Sequence, residues 1–570
     1  MRDRLTIGIA GAGGDGVVVL GSLLQRLAAS QGYFGQMPRY YGPQIRGGAS
    51  GVKLSLDTTR ASLPADTVDI MVCFNWEKYA ELKQELPLGT DSIVFYDSAP
   101  PEGSLNLPDK SFQVGFSQIV KELTGTAAAK NIVVLGLLER ILALPENLSK
   151  SAAAHDQASA LLERNDAALH AGKRLLPEFP FAELKLSPPK DATARTVLHG
   201  NSAVAQGAIR AGCRTFFSYP ITPASEIMEE MQERLNHGNG AFLQAEDEIA
   251  AIGLAVGASL TGAKSMTATT GPGLDLMTEM IGLASSAEIP VVIVDVQRCG
   301  PATGIPSKSE QSDLNHAIYG GHGDAPRVIL AAYSVKGCYR LLIESFNISE
   351  YYQTPVILLS DQRLGQTTVA TNSDFLTKDY SMVSRKRPGG EYQEQYQRYE
   401  LTEDYISPMA FAGDKGLTYQ ATGLAHNENG RPSFDFATNQ CMHEKRWQKL
   451  APLCDRDDLV KLFGKEEARR GIVAFGSSAQ FVLETVEDLG LQDEVKVCVP
   501  ELIHPLPRRL TGFVGSLQKL LVVEMSYSAQ LHHYLRSQID LPSDTEAYAR
   551  AGGLAFSRTE LSGPITELAR

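Results

Sequence analysis

Three consecutive acids, Glu246, Asp247 and Glu248, stand at the head of a run of small and apolar residues, Ile249-Ala250-Ala251-Ile252-Gly253-Leu254-Ala255-Val256-Gly257-Ala258. Carboxylates at a helix N-terminus are favoured by its dipole while staying solvated, which accounts for two of the three. Glu248 differs. It lies nine residues before Gly257 on a helix expected over residues 248–260, among neighbours small enough for close packing. A carboxyl there is stripped of water and can share a proton with a ligand nitrogen. A second candidate is Ser218-Tyr219-Pro220-Ile221-Thr222-Pro223, directly after a strand-like run. The Thr222 hydroxyl either caps the helix expected from Ala224 to Leu235, with Pro223 at its first position, or faces a ligand. Open α/β sheets form their binding crevices at the C-terminal ends of strands, where this loop would stand.

Weaker signals lie elsewhere. Gly11-Ala12-Gly13-Gly14-Asp15-Gly16 has the glycines of a phosphate cradle at a helix N-terminus, with the acidic Asp15 set against that reading; the competing reading is a tight strand-to-helix turn. Arg46, in the loop Tyr40–Gly48, either faces an anion or pairs on the surface. The 7 cysteines are scattered, with no C-x-x-C pair and no Cys/His ligand spacing, so no metal or iron–sulfur site is expected in this chain. Cys73 and Cys498 read as small buried hydrophobes.

The elements that would position these residues alternate between strand and helix. Residues 1–190 read as a doubly wound α/β domain with strands at Ile7–Ala10, Gly51–Leu56, Ile70–Phe74 and Ser92–Tyr96, followed by a Pro-rich exit linker over Pro177–Thr196. Residues 191–375 read as a second parallel α/β domain, with strands at Thr215–Phe217, Ser265–Thr270, Val291–Val296 and Val356–Leu359. An extended, polar connector is expected over 376–460 and a last α/β domain over 461–570. A chain of 570 residues is too long for one core, so a multidomain α/β protein is the expected class.

The composition, 43% hydrophobic and 21% charged, is that of a globular protein, and the net charge of −13 gives no footprint for a phosphate backbone, so nucleic acid is not an expected partner. No apolar run is long enough to span a bilayer, and Met1–Arg4 leads straight into a strand-like segment, so no membrane association and a cytoplasmic location are expected.

Taken together, the Tyr219–Pro223 loop, the acidic helix, Thr267-Ala268-Thr269-Thr270-Gly271-Pro272-Gly273 and Val294-Asp295-Val296-Gln297-Arg298 resemble the α subunit of 2-oxoacid:ferredoxin oxidoreductases. Gly300–Gln311 and Tyr319–Pro326 fit the same family. Residues 1–190 resemble its γ subunit, so the chain looks like the fused γ–α form, and the C-terminal part resembles the transketolase C-terminal-like domain of these subunits.

The resemblance implies a thiamine diphosphate enzyme in which residues 191–375 form the domain facing the cofactor's pyrimidine ring. Glu248 would be the activating glutamate, hydrogen-bonded to a ring nitrogen so that the cofactor deprotonates its own thiazolium carbon. Thr222 and Arg298 would bind the substrate carboxylate, and Thr269, Thr270 and Gly271 would line the cofactor. A 2-oxo acid would lose carbon dioxide, electrons would pass singly through iron–sulfur clusters to ferredoxin, and coenzyme A would take the acyl group. In reverse, reduced ferredoxin would drive carboxylation, carbon dioxide fixation of the reductive TCA cycle type. A β subunit would bring the Mg2+ and diphosphate site and a [4Fe-4S] cluster, two such pairs forming an (αβ)2 heterotetramer. The chain's one Gly-Asp-Gly, Gly14–Gly16, sits in the N-terminal turn without the asparagine expected about 25–30 residues on. Cys299 replaces a family glycine and puts a thiol beside Arg298. Within the resemblance 2-oxoglutarate is the favoured substrate, with pyruvate or another 2-oxo acid as the alternative, and a non-catalytic scaffold subunit as the other class.

Overall fold

The computed structural model describes residues 2–42, 47–101, 105–126, 128–144, 159–175, 184–238, 240–389 and 396–570. Arg46 and part of the Pro177–Thr196 linker lie outside the described residues. The chain forms two compact units, residues 1–199 with 366–378, and residues 200–365 with 379–570.

The first unit is built on one mixed sheet. Strand Arg4–Ala12 runs parallel to Val68–Cys73 on one side and antiparallel to Ala49–Asp57 on the other. The sheet therefore has a parallel half, continued by Leu88–Tyr96 and Ser111–Gln113, and an antiparallel half. The antiparallel half extends through Phe34–Met37 to Thr368–Thr371 and Thr196–His199, a pairing of segments about 170 residues apart that no local pattern announces. At the Gly11–Gly16 turn the Asp15 carboxylate accepts the Ala12 N–H at 2.7 Å and pairs with Lys130 at 2.8 Å. Asp15 is thus engaged within the turn itself, and Gly14 and Gly16 adopt the positive φ, 104° and 77°, that a tight strand-to-helix turn asks of glycine.

The second unit holds two sheets. In the larger, the order is Ala241–Gln244, Thr215–Ser218, Ser265–Thr269, Val291–Gln297, Pro355–Asp361, Val328–Ala331 and Leu502–His504, all parallel except the last. Val291–Gln297 and Pro355–Asp361 are buried along their whole length, because helices cover both faces, and their sequences are accordingly near-continuous apolar runs. The smaller sheet is ordered Val460–Phe463, Val495–Pro500, Arg470–Ala474, Lys519–Glu524 and Asp544–Ala549.

The polar segment after residue 378 is pinned to this unit by buried charge. Arg385 forms a two-pronged pair with Glu350 at 2.7 and 3.0 Å and also donates to the Ala263 carbonyl at 2.8 Å. Further along, the helix Phe436–Gln448 and the turn after it deliver Lys445 and Lys449 to the fully enclosed Glu288, at 2.6 and 2.9 Å. This helix lies where only an extended connector was expected, since its inward face is made of Met442, Lys445 and Arg446 rather than an apolar stripe.

Candidate functional site

The site assembles at the C-terminal ends of the central strands of the seven-stranded sheet. Helix Glu248–Leu260 begins where the sequence pattern placed it, because Asp247 caps it, its carboxylate accepting the Ala250 N–H at 2.7 Å. Glu246 is exposed. Glu248 is only 5% exposed, and its burial has a different origin from the one its own helix suggested. Its carboxyl packs against Gly273: a Cβ there would stand 2.7 Å from Glu248 Oε1 and 2.0 Å from the Thr269 hydroxyl. Glycine at 273 is therefore what lets the acid lie flat on the first turn of helix Gly271–Ser286. Gly253 and Gly257, expected to be tightly packed, instead face open space, Gly253 having only the Met280 methyl at 3.9 Å and Gly257 nothing within 4 Å. They share this face with Ile249 and Leu254, 52% and 40% exposed.

Arg298 follows strand Val291–Gln297 and is 7% exposed. Its Nη1 donates to the Thr222 carbonyl at 2.6 Å, which ties the proline-rich loop to the strand end, while its buried Nε has no hydrogen-bond partner among the described residues. Burial lowers the guanidinium pKa, and the negative charges of Asp313 and then Glu248 oppose that shift, so Arg298 lies within the field of both acids. Thr222 does not cap the following helix. The Thr222–Pro223 bond is cis, the helix starts at Ser225 with Ala224 as its cap residue, and the Thr222 side chain is exposed. The loop is held from below by Ser218, whose hydroxyl donates to the Ala268 carbonyl at 2.8 Å.

Thr269 and Thr270 are fully withdrawn from solvent, and the Thr270 hydroxyl has no hydrogen-bond partner among the described residues. Gly271 opens the next helix with Asp313 against it, a Cβ there falling 2.6 Å from Asp313 Oδ1. The Cys299 thiol donates to the Ser309 carbonyl at 3.3 Å, and burial pushes it up to about 12, so it stays a neutral thiol.

Two further acids were not singled out from sequence. Asp295 is wholly buried near the end of its strand, and burial, reinforced by the negative Asp313, raises its pKa well above the carboxylate range. Asp313 itself is raised to about 7, by burial and then by Glu310 and Asp275, with Arg298 and the Gly271 N–H pulling the other way. The available signal was a charged residue inside the apolar run Val291-Val292-Ile293-Val294-Asp295-Val296.

This geometry supplies a buried acid, a buried guanidinium with an unused donor and an exposed hydroxyl on one rim, a set suited to a carboxylate-bearing ligand beside a nitrogen heterocycle. Comparison with known proteins points the same way. Residues 206–445 match the family described as pyruvate flavodoxin/ferredoxin oxidoreductase, thiamine diphosphate-binding, and residues 6–175 match pyruvate ferredoxin/flavodoxin oxidoreductase. The chain is 29% identical to a 2-oxoacid:ferredoxin oxidoreductase subunit alpha from Sulfolobus sp., over 99% of this chain and 97% of that one. It is 33% identical to the 2-oxoglutarate synthase subunit KorA of Methanothermobacter thermautotrophicus, over 66% of this chain and 100% of the relative. A solved 2-oxoglutarate:ferredoxin oxidoreductase from Magnetococcus marinus, with 2-oxoglutarate, coenzyme A and succinyl-CoA bound, superposes with a TM-score of 0.92 at 34% identity, covering 100% of both chains.

Proposed function

The chain belongs to the 2-oxoacid:ferredoxin oxidoreductase family, and from that premise we propose that it is the fused γ–α subunit of an enzyme interconverting 2-oxoglutarate and coenzyme A with succinyl-CoA and carbon dioxide, with ferredoxin as electron partner. The observation that carries this reading is the buried Arg298, set between the Thr222 loop and Glu248 with a donor to spare. The likeness to the Magnetococcus marinus protein supports 2-oxoglutarate over pyruvate or another 2-oxo acid. Retention of Glu248, Thr222 and Arg298 on one rim favours an enzyme over a scaffold.

The residues present fit thiamine diphosphate: Glu248 is a buried carboxyl held rigid on Gly273, and Thr270 offers a buried hydroxyl with no partner among the described residues. When bound, the cofactor supplies the nucleophilic carbon and the electron sink that decarboxylation of a 2-oxo acid requires. Glu248 holds or yields a proton at a ring nitrogen, the absence of a side chain at Gly273 leaving room for its carboxyl. Arg298 and Thr222 orient the substrate carboxylate, the planar guanidinium fork setting its plane. Thr270 and Gly271, at the start of helix Gly271–Ser286, complete the wall on that side.

Ile249, Leu254 and the open glycines 253 and 257 form an exposed apolar face beside Glu248, which supports a β subunit covering the site and bringing Mg2+ and a [4Fe-4S] cluster. Two such pairs would make an (αβ)2 assembly. Among the described residues no helix is long and apolar enough to cross a membrane, and a cytoplasmic location is part of the same proposal. Coexpression with the partner subunit, followed by assay across several 2-oxo acids with a low-potential acceptor, tests the reading. Preference for 2-oxoglutarate is the expected result, and equal or better turnover of pyruvate would move the chain to the alternative substrate.

A further inference from the structure

A buried carboxyl in this unit can be well supplied with donors. Asp361, at the end of strand Pro355–Asp361, accepts from the Ser309 hydroxyl at 3.0 Å, the Leu364 N–H at 2.9 Å and the Ser477 N–H at 3.1 Å. Asp295, on the adjoining strand, is equally buried, yet neither of its oxygens has a hydrogen-bond partner among the described residues. The Oδ2 of Asp313 is in the same condition, although its carboxyl lies against Gly271 and accepts that residue's N–H. Two carboxyls that act on one another, each with an unused oxygen, resolve that deficit when one is neutral and donates to the other.

Asp313 is tied to both strand ends around Asp295: its N–H donates to Gln297 Oε1 at 3.2 Å, two residues beyond Asp295, and its carboxyl lies against Gly271, two residues beyond Thr269, the register partner of Asp295. The negative Asp313 acts on Asp295, and Glu310, Asp275 and Arg298 act on Asp313. Glu310 is occupied by the N–H groups of Gly300 and Gly552, at 2.9 and 2.8 Å, and Asp275 lies 3.2 Å from the His316 ring. Arg298 is the cation acting on Asp313, and Glu248 is the other acid acting on Arg298.

We propose that Asp295 and Asp313 share a proton and together form an adjustable counter-charge to Arg298, so that a carboxylate ligand arriving at Arg298 draws a proton onto the pair. The inference deepens the reading of Arg298 given above and rests on it. Both aspartates act through Arg298 and are positioning residues. An ionised Asp313 competes with the ligand for the guanidinium; a neutral one does not. Ligand binding and proton uptake therefore favour each other, reciprocally. Burial takes Asp313 to about 7, which places the exchange in the neutral range. The sign follows: the ligand anion favours the protonated pair, so affinity is highest below that value and falls as pH rises through it, approaching tenfold per pH unit for one linked proton, about 1.4 kcal/mol.

The test is KM and kcat for 2-oxoglutarate from about pH 6 to about pH 9, in the complex with the partner subunit. The wild-type KM should climb toward tenfold per unit above neutrality. Asp313→Asn, which keeps an acceptor for the Gly271 N–H, should flatten that climb, and so should Asp295→Asn; a merely structural role would not move the slope. Should Asp313→Asn fail to assemble, Asp295→Asn and a dye measurement of proton uptake when wild-type complex meets 2-oxoglutarate still decide the matter. A flat wild-type KM, absence of uptake, or variants with the wild-type slope would overturn the shared proton. An unchanged KM in Arg298→Lys would instead sink the underlying assignment of Arg298.

Discussion

Glu288 and Asp313 are both carboxyls held away from bulk water in the second unit, and they differ in sign. Glu288 is met by Lys445 and Lys449, with Arg398 acting on it as well, and these cations hold it far below the usual carboxylate range despite its burial. Asp313 is raised to about 7, by its burial first and then by Glu310 and Asp275, with Arg298 pulling the other way. Where the chain fastens a polar segment, it brings opposite charges together around Glu288, although Arg398 there keeps Nε and Nη1 without a hydrogen-bond partner among the described residues. Where ligand chemistry is proposed, buried polar atoms are left with donors and acceptors unused: Arg298 Nε, the Thr270 hydroxyl and the oxygens of Asp295. The contrast lies in the carboxyls themselves, one closed off by cations and the other buried among further acids.

The sharpest way to break that contrast is to neutralise one acid of each kind. Glu248→Gln should slow kcat by about 10²–10⁴-fold in the assembled complex while leaving its melting temperature unchanged. Glu246→Gln, on an exposed side chain, should do far less. Equal losses at both positions would mean that the three acids act as a unit.

Glu288→Gln should show the opposite pattern, losing about 3–5 kcal/mol of stability in denaturant titration because two lysines are left buried without their partner. The stability that Glu288 contributes should also be lost on acidification: its folded pKa is depressed, so the contribution is present above the ordinary glutamate value near 4.5 and disappears as pH falls below it. A Glu288→Gln protein that melts like wild type would remove the fastening role.

A smaller effect is expected at Arg298→Lys, which keeps the charge and loses the fork. A loss of about 1.5–3 kcal/mol in kcat/KM, read mainly as raised KM, is the expected outcome. Smallest of all is the thiol beside it. Cys299, buried and raised to about 12, should resist a thiol reagent in the folded protein while the exposed Cys441 reacts, as peptide mapping after brief labelling would read directly.

The start of helix Glu248–Leu260 was legible because capping is local: Asp247 and the small apolar run fix the first residue without reference to the rest of the fold, whereas the burial of Glu248 depends on Gly273 in another helix. The central strands were legible for the same reason, being apolar runs of the length a covered parallel sheet demands. The helix Phe436–Gln448 was not, because its inward face is lysine and arginine and its partner, Glu288, lies about 150 residues earlier. Strand Ala241–Gln244, mostly exposed at the sheet edge, carries no alternation to read. Thr222 was placed correctly after its strand, but its capping reading failed because the helix begins only at Ser225, with Ala224 as its cap residue. Asp313 stayed hidden because nothing in the order of residues says that it will meet Gly271, some forty positions away, at the head of another helix.

The central claim is a division of labour, with this chain contributing Glu248, Thr222 and Arg298 to a site that a second subunit completes. Its most direct test is anaerobic titration of the purified chain with the partner subunit, following 2-oxoglutarate oxidation by a low-potential acceptor together with the visible spectrum. The account predicts that the chain alone is colourless and inactive and that turnover rises saturably as the partner is added. Iron–sulfur absorbance or 2-oxo acid oxidation by the chain alone would contradict it.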